Sequence, residues 1–304
     1  MRSYRYLHYD VFTDHLFGGN QLAVFLDGRG LSTDTMQAIA KEMNFSETTF
    51  VLPADRRGTD VRMRIFTPGD ELPVAGHPTI GSTFALARSG VIDRGRKSFV
   101  FGLGIGPTPV TLTWTGGELS FVWMTQELPT FGEPIPEPAR TAAALSLSPA
   151  AVAGTRHPVQ VVSCGVPFLF VPLTTRSAVD HAVVNPGVLD ALLSASTPAA
   201  HGAFIFSPQP GDKKSTVYSR MFAPELGVTE DPATGIASGP LGCYLVRHQI
   251  VRPEKAGAMV SLQGAKMGRP SYIHISIDAD KSGKIGGVRV GGEAVLAGEG
   301  TLYV

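Results

Sequence analysis

The chain lacks what would tie it to a polyanion, a membrane or a disulfide framework. Its 26 Lys and Arg balance 26 Asp and Glu with no basic block, so neither nucleic acid nor an anionic membrane is an implied partner. No apolar run approaches the roughly 20 residues of a membrane span, and residues 1–11 are too interrupted by polar side chains for a signal peptide. A cytoplasmic location is expected. Cysteine is scarce: Cys164 ends Val161-Val162-Ser163-Cys164 and Cys243 opens Cys243-Tyr244-Leu245, apolar company that predicts two buried, unpaired thiols. The eight His residues show no ligand spacing, so no metal site is predicted. No Ser stands in a nucleophile elbow. Gly102-Leu103-Gly104-Ile105-Gly106-Pro107 has dinucleotide-loop glycines, but Pro107 and a strand-like run follow where a helix should start. Gly76 to Ser82 has phosphate-loop spacing without the lysine.

What is present is a chain of 304 residues, 43% apolar, long enough for two domains each with its own core. Strand-like runs at Tyr4 to Phe12, Gln21 to Leu26, Glu47 to Leu52 and Val61 to Phe66 open it, and the last alternates Val61, Met63, Ile65 inward against Arg62, Arg64 outward. Ser32 caps a helix with the stripe Met36, Ile39, Ala40, Met43. A second helix is predicted from His77 to Arg88. Strands follow at Ser98 to Phe101, Val110 to Trp114 and Leu119 to Met124, and both tryptophans read as packing residues. Prolines crowd residues 128–138, which read as a linker between domains at 1–127 and 139–304, with room for C-terminal strands in the first. The pattern then restarts, with strands at Val159 to Cys164, Phe168 to Leu173, Ala203 to Ser207 and Thr216 to Phe222, and a helix near Val188 to Leu193. A long helix is predicted from Thr234 to Gln249, with Pro240 tolerated in its first turn. Strands at Met259 to Leu262, Tyr272 to Ile277 and Val288 to Val304 close the chain. Strands outnumber helices, so the fold class is α+β, two similar domains each holding one helix inside a curled sheet.

The most informative feature is a pair of segments, Glu71-Leu72-Pro73-Val74-Ala75-Gly76-His77-Pro78 and Glu230-Asp231-Pro232-Ala233-Thr234-Gly235-Ile236-Ala237. Each follows a strand-like run and opens a helix-like one. Their approaches, Arg62 to Pro68 and Ser219 to Pro224, echo one another too, as a duplicated unit would. Two helix N-termini offer unpaired N–H groups and positive dipole ends to an anion, and a small carboxylate is the natural guest. Taken singly the polar residues are ordinary. Glu47 reads as a solvated strand start or an acid/base, His77 as a cap or a neutral imidazole held so by the helix dipole, and Asp231 as an N-terminal cap or a site residue.

Gly18-Gly19-Asn20, Met43-Asn44-Phe45-Ser46-Glu47-Thr48, Arg64-Ile65-Phe66-Thr67-Pro68, the two helix-opening segments and Gln263-Gly264 through Ser271 together resemble the phenazine-biosynthesis isomerase (PhzF) family, in the right order over nearly the whole chain. The resemblance implies the diaminopimelate-epimerase fold, two pseudosymmetric domains with the active site between them, and a homodimer. It implies Glu47 as general acid/base, taking a proton from one carbon and returning one at another, with His77 and Asp231 orienting substrate and proton. Backbone N–H groups of Gly76 and Gly235 would hold a substrate carboxylate, with Asn20, Thr234 and Ile236 around it. No metal or organic cofactor is needed for that chemistry.

Two departures bound the reading. Phenazine-forming members carry Ser directly after the Thr-Gly pair, where this chain has Ile236; losing such a hydrogen bond to a charged group costs roughly 1.5–3 kcal/mol, which argues against the phenazine precursor as substrate. Fold relatives that epimerise amino acids use two facing thiols, and neither cysteine lies in either motif, which disfavours two-base racemisation. The expected activity is therefore a cofactor-free isomerase acting on a small carboxylate-bearing metabolite. The alternative is a binding protein that keeps the fold without turnover.

Overall fold

Alternation along Val61–Phe66 survives folding: Val61, Met63 and Ile65 are buried, while Arg62 and Arg64 keep partial access to solvent. The computed structural model describes residues 1–224 and 228–304. It divides into two units, Met1–Thr125 with Gly291–Val304, and Gln126–Val290. Both are α+β. Among the described residues no helix is long and apolar enough to cross a membrane.

In the first unit Ser3–Val11 pairs antiparallel with Asn20–Phe25, which lies parallel to Glu47–Pro53. That strand pairs antiparallel with Val61–Phe66, which takes the two-residue strand Glu71–Leu72 on its end and runs parallel to Ser98–Leu103. The crossover between those parallel strands is the helix Gly76–Arg88. Every residue from Gly76 to Leu86 is buried, because strands Ser3–Val11, Asn20–Phe25, Glu47–Pro53 and Ala294–Tyr303 all pack on it. Such all-round burial replaces the amphipathic stripe of a surface helix.

The second unit repeats the scheme. Val159–Ser163 pairs antiparallel with Pro167–Pro172, which is parallel to Ala203–Ser207, itself antiparallel to Val217–Ala223. Val228–Asp231 adds to the end of Val217–Ala223, which runs parallel to Met259–Gln263 across the buried helix Gly235–Arg247. In both units the central helix lies close on its sheet through a glycine. A Cβ at Gly81 would meet Leu22 and Val11 at 2.6 Å, and one at Gly242 would meet Ile275 at 2.5 Å.

The structure corrects several expectations. Residues 128–138 are not a free linker, since Thr130–Ile135 is a strand paired with Val159–Ser163 and Pro138 opens the helix Pro138–Ala144. Proline is tolerated at a sheet edge and at a helix start, so its density there did not mean loose chain. The closing run is two strands, Ile285–Gly292 and Ala294–Tyr303, and the second pairs with Ser3–Val11 inside the first unit. The boundary between the units falls at Thr125/Gln126, and 291–304 join the first unit, as the room left there for C-terminal strands allowed. Pro240 stands within the helix rather than in its first turn, so the Ile236 carbonyl has no N–H four residues on to accept from. Short helices Pro149–Ala153 and Arg176–His181 are additional.

Candidate active site

Three element starts converge in the first unit. Asn20 begins its strand and Glu47 the next, with Leu22 and Glu47 in register. The helix Thr33–Met43 stops at Asn44, which takes a left-handed conformation with its N–H bonded to the Ala40 carbonyl and so turns the chain toward Glu47. His77 is the second residue of its helix. Asn20 Nδ2 lies 3.2 Å from His77 Nδ1, and His77 Nε2 lies 3.1 Å from Glu47 Oε2.

Burial drives the His77 pKa down to about 3, against a smaller opposing contribution from a backbone hydrogen bond at Gln21. Its cause is therefore burial, ahead of the helix dipole expected from its position. A neutral ring carries one N–H. A backbone hydrogen bond to Gln21 opposes the burial effect and so takes a ring N–H as its donor, while Glu47 Oε2 lies 3.1 Å from Nε2. Glu47 thus faces a neutral ring rather than a cation, and its side chain is 15% exposed where that of His77 is 4% exposed. A carboxylate beside a neutral ring and still reachable is suited to accept and return a proton.

The second unit gathers the other expected residues. Thr234 Oγ1 donates to Asp231 Oδ2 at 2.6 Å. Gln263, fully buried, completes the turn: its Nε2 donates to the Asp231 carbonyl at 2.8 Å and to Thr234 Oγ1 at 2.9 Å, while its Oε1 accepts from the Thr234 N–H at 3.1 Å. Gly235 and Ile236 open the helix. Ile236 is half-buried and packs against the apolar core of this unit, so part of its side chain is committed to packing. Gly76 and Gly235 each begin a helix whose preceding residue, Ala75 or Thr234, makes no side-chain cap, and neither first turn holds an acid. Both starts keep open donors for an anion.

Gln263 escaped assignment to the site because it is 29 residues from Thr234, and only the pairing of Met259–Gln263 with Val217–Ala223 brings it there. A matched pair of clamps escaped as well. Arg64 grips Glu71 through Nε at 2.7 Å and Nη2 at 2.6 Å, and Arg220 grips Glu230 at 2.8 and 2.9 Å. Each guanidinium also lies over the phenylalanine two residues on, Phe66 at 5.0 Å and Phe222 at 4.8 Å. An Arg-x-Phe strand followed by the helix-opening Glu was the available signal. The thiols are free and buried, as the sequence predicts, but Cys164 and Cys243 Sγ atoms sit 3.9 Å apart in the second core. Shared hydrogen bonding and burial push the Cys243 pKa up, the opposite of a thiol base.

A family model described as phenazine biosynthesis-like protein, PhzC-PhzF, matches residues 9–300. The chain is 35% identical to the trans-2,3-dihydro-3-hydroxyanthranilate isomerase of Pseudomonas aeruginosa over 99% of this chain and 100% of that one. It is 34% identical to an uncharacterized isomerase of Mesorhizobium japonicum over the full length of both. A crystal structure of a Bacillus anthracis phenazine biosynthesis protein of the PhzF family superposes with a TM-score of 0.88 at 28% identity, covering 100% of both chains.

Proposed function

The chain belongs to the PhzC-PhzF, phenazine biosynthesis-like family and is an isomerase of that kind, and from that premise we propose that it shifts a proton between two carbons of a small carboxylate-bearing metabolite, with Glu47 as the single acid/base. The observation that carries this reading is the Asn20–His77–Glu47 line in the first unit, where a buried neutral imidazole lies 3.1 Å from the carboxylate. Glu47 takes the proton, keeps it through charge delocalisation in the substrate, and returns it at the second carbon, so no other base is required. The open N–H group at Gly76, on the same unit, is assigned to the substrate carboxylate and to charge developing in the transition state.

The test is solvent proton exchange. Trans-2,3-dihydro-3-hydroxyanthranilate, the compound named for the P. aeruginosa relative, is incubated with the protein in deuterated water and followed by NMR beside a panel of other small unsaturated carboxylates. Deuterium entering any of them with wild type, and not with Glu47→Gln, supports the acid/base assignment. Equal incorporation with the mutant removes it.

A further inference from the structure

At the far end of the helix from His77, the first unit contains a cavity of about 600 Å³, within the range of small-molecule pockets. His77 and the last-turn residues at the cavity are separated by roughly 15 Å of helix. Its floor is apolar and buried at Leu7 and Phe84, and its wall includes the half-buried Trp114 and Leu296. Trp114 is fixed in the wall, since its indole N–H donates to the Arg96 carbonyl at 2.7 Å.

Two further observations give the cavity a polarity. Tyr9, only 4% exposed, lines it, and its hydroxyl makes no hydrogen bond among the described residues. Buried tyrosine hydroxyls ordinarily find a partner. A slip in the pairing of Ser3–Val11 with Ala294–Tyr303 between His8 and Tyr9 marks a bulge at this point, a device that re-aims a side chain. Burial raises the Tyr9 pKa to about 12 against the lowering effect of Arg88, so the hydroxyl stays a donor. The rim carries Arg5, Arg88 and Arg94 against Glu118. Arg5 is engaged by Glu299, whereas Arg94 makes no hydrogen bond or ion pair among the described residues.

We propose that this cavity is a second ligand site, distinct from the Glu47 half-site, for a small organic anion with an aromatic body: ring against Phe84 and Trp114, anionic group toward Tyr9, Arg88 and Arg94. An anion satisfies the hydroxyl and the excess of guanidinium charge together, and the apolar floor selects a ring over inorganic phosphate.

Isothermal titration of the full chain with 2-naphthoate and its neutral analogue 2-naphthamide tests this. Saturable binding of one naphthoate per chain is expected, with the amide weaker by about tenfold or more, the scale of one charge-assisted contact. The exposed pair Arg88→Gln with Arg94→Gln should weaken naphthoate by a similar factor without lowering the melting temperature. Ala87→Trp, which fills the cavity, should abolish binding. No saturable binding at millimolar naphthoate, equal affinity for acid and amide, or binding that survives both variants overturns the proposal. So does a chain that self-associates until Arg88 and Arg94 are replaced, because the cavity would then be covered by a second copy. Solvent exchange at the Glu47 half-site is unaffected by either variant if the two sites are separate.

Discussion

The two units share one scaffold and differ in which of its positions carry polar side chains. Strand registers align them residue by residue: Leu22 faces Glu47 in the first unit as Leu169 faces Ala203 in the second, and His77 and Ile236 are each the second residue of the central helix. Asn20, Glu47 and His77 thus correspond to Pro167, Ala203 and Ile236, and every member of the polar line has an apolar counterpart. What both units keep is structural: the Arg–Glu clamp, the guanidinium over phenylalanine and an uncapped helix start. The duplication preserved the frame that aims a helix N-terminus. The Asn20–His77–Glu47 line lies in one unit, and the other has an Asp231–Thr234–Gln263 network whose hydrogen bonds fix a turn.

If chemistry is concentrated this way, the sharpest contrast is between carboxylates. Glu47→Gln should lower turnover at least ~100-fold, the lower range for losing a general base and about 2.7 kcal/mol on the barrier. Asp231→Asn keeps shape and can still accept from Thr234, so its effect should stay within about tenfold, the scale of one weakened hydrogen bond. Rates from solvent exchange under saturating substrate decide it. Equal losses would mean that both units contribute proton transfer and would break the comparison.

The clamps should differ in strength though they match in geometry. Arg220 and Glu230 side chains are 9% and 16% exposed, and Arg220 also donates to the Val179 and Ala182 carbonyls at 2.9 Å. Arg64 and Glu71 are 14% and 39% exposed. Arg220→Ala strands a mostly buried carboxylate and two carbonyls, for a loss of about 2–3 kcal/mol. The same change at Arg64 should cost about 1 kcal/mol or less, because water reaches Glu71. Urea denaturation of both variants measures the difference, and a larger loss at Arg64 would reverse it.

Much of this frame was legible before the structure, because period-two alternation and helix-start glycines are local signals. Val61–Phe66 and Ala203–Ser207 begin and end where the pattern placed them. The misreadings share a cause. Proline at 134 and 138 carries one local meaning, chain breaking, and tertiary pairing gave it another. The site was legible only as a set of residue types. That Asn20 and His77, 57 residues apart, touch is a product of the central helix packing on the strand Asn20–Phe25, and Gln263 depends on the parallel pairing of Met259–Gln263 with Val217–Ala223. The buried state of His77 was equally invisible, since a histidine beside a glycine at a helix start reads as surface until a sheet curls around it.

That burial predicts a pH dependence. The folded His77 pKa, about 3, lies below the unfolded value near 6.5. The unfolded chain therefore binds the proton first, and stability falls as pH drops from about 6.5 toward 3. Between pH ~6.5 and ~5 the loss from this group is on the order of 1–2 kcal/mol. In the second unit His248, at the end of the central helix, is lowered to about 4 by burial first and then by His157 and Arg247; its slope has the same sign and should be shallower because water reaches it. Thermal unfolding across this window, for wild type, His77→Gln and His248→Gln, separates the two. An unchanged acid slope in His77→Gln would contradict the buried neutral ring.

The smallest effect, and the one that bears on substrate, is expected at Ile236. Its side chain is half-buried against the second core, so Ile236→Ser removes apolar contact and should cost about 1 kcal/mol of stability. The same change places a hydroxyl donor on the helix start. If the remainder of the pocket suits trans-2,3-dihydro-3-hydroxyanthranilate, solvent deuterium should enter that compound faster with Ile236→Ser than with wild type, by up to about tenfold for one hydrogen bond gained to a carboxylate. If the pocket is shaped for another metabolite, the serine loses core packing and gains nothing. Fast exchange by the wild-type protein would show that an apolar residue is tolerated at this helix start, and would make the phenazine precursor the better substrate assignment.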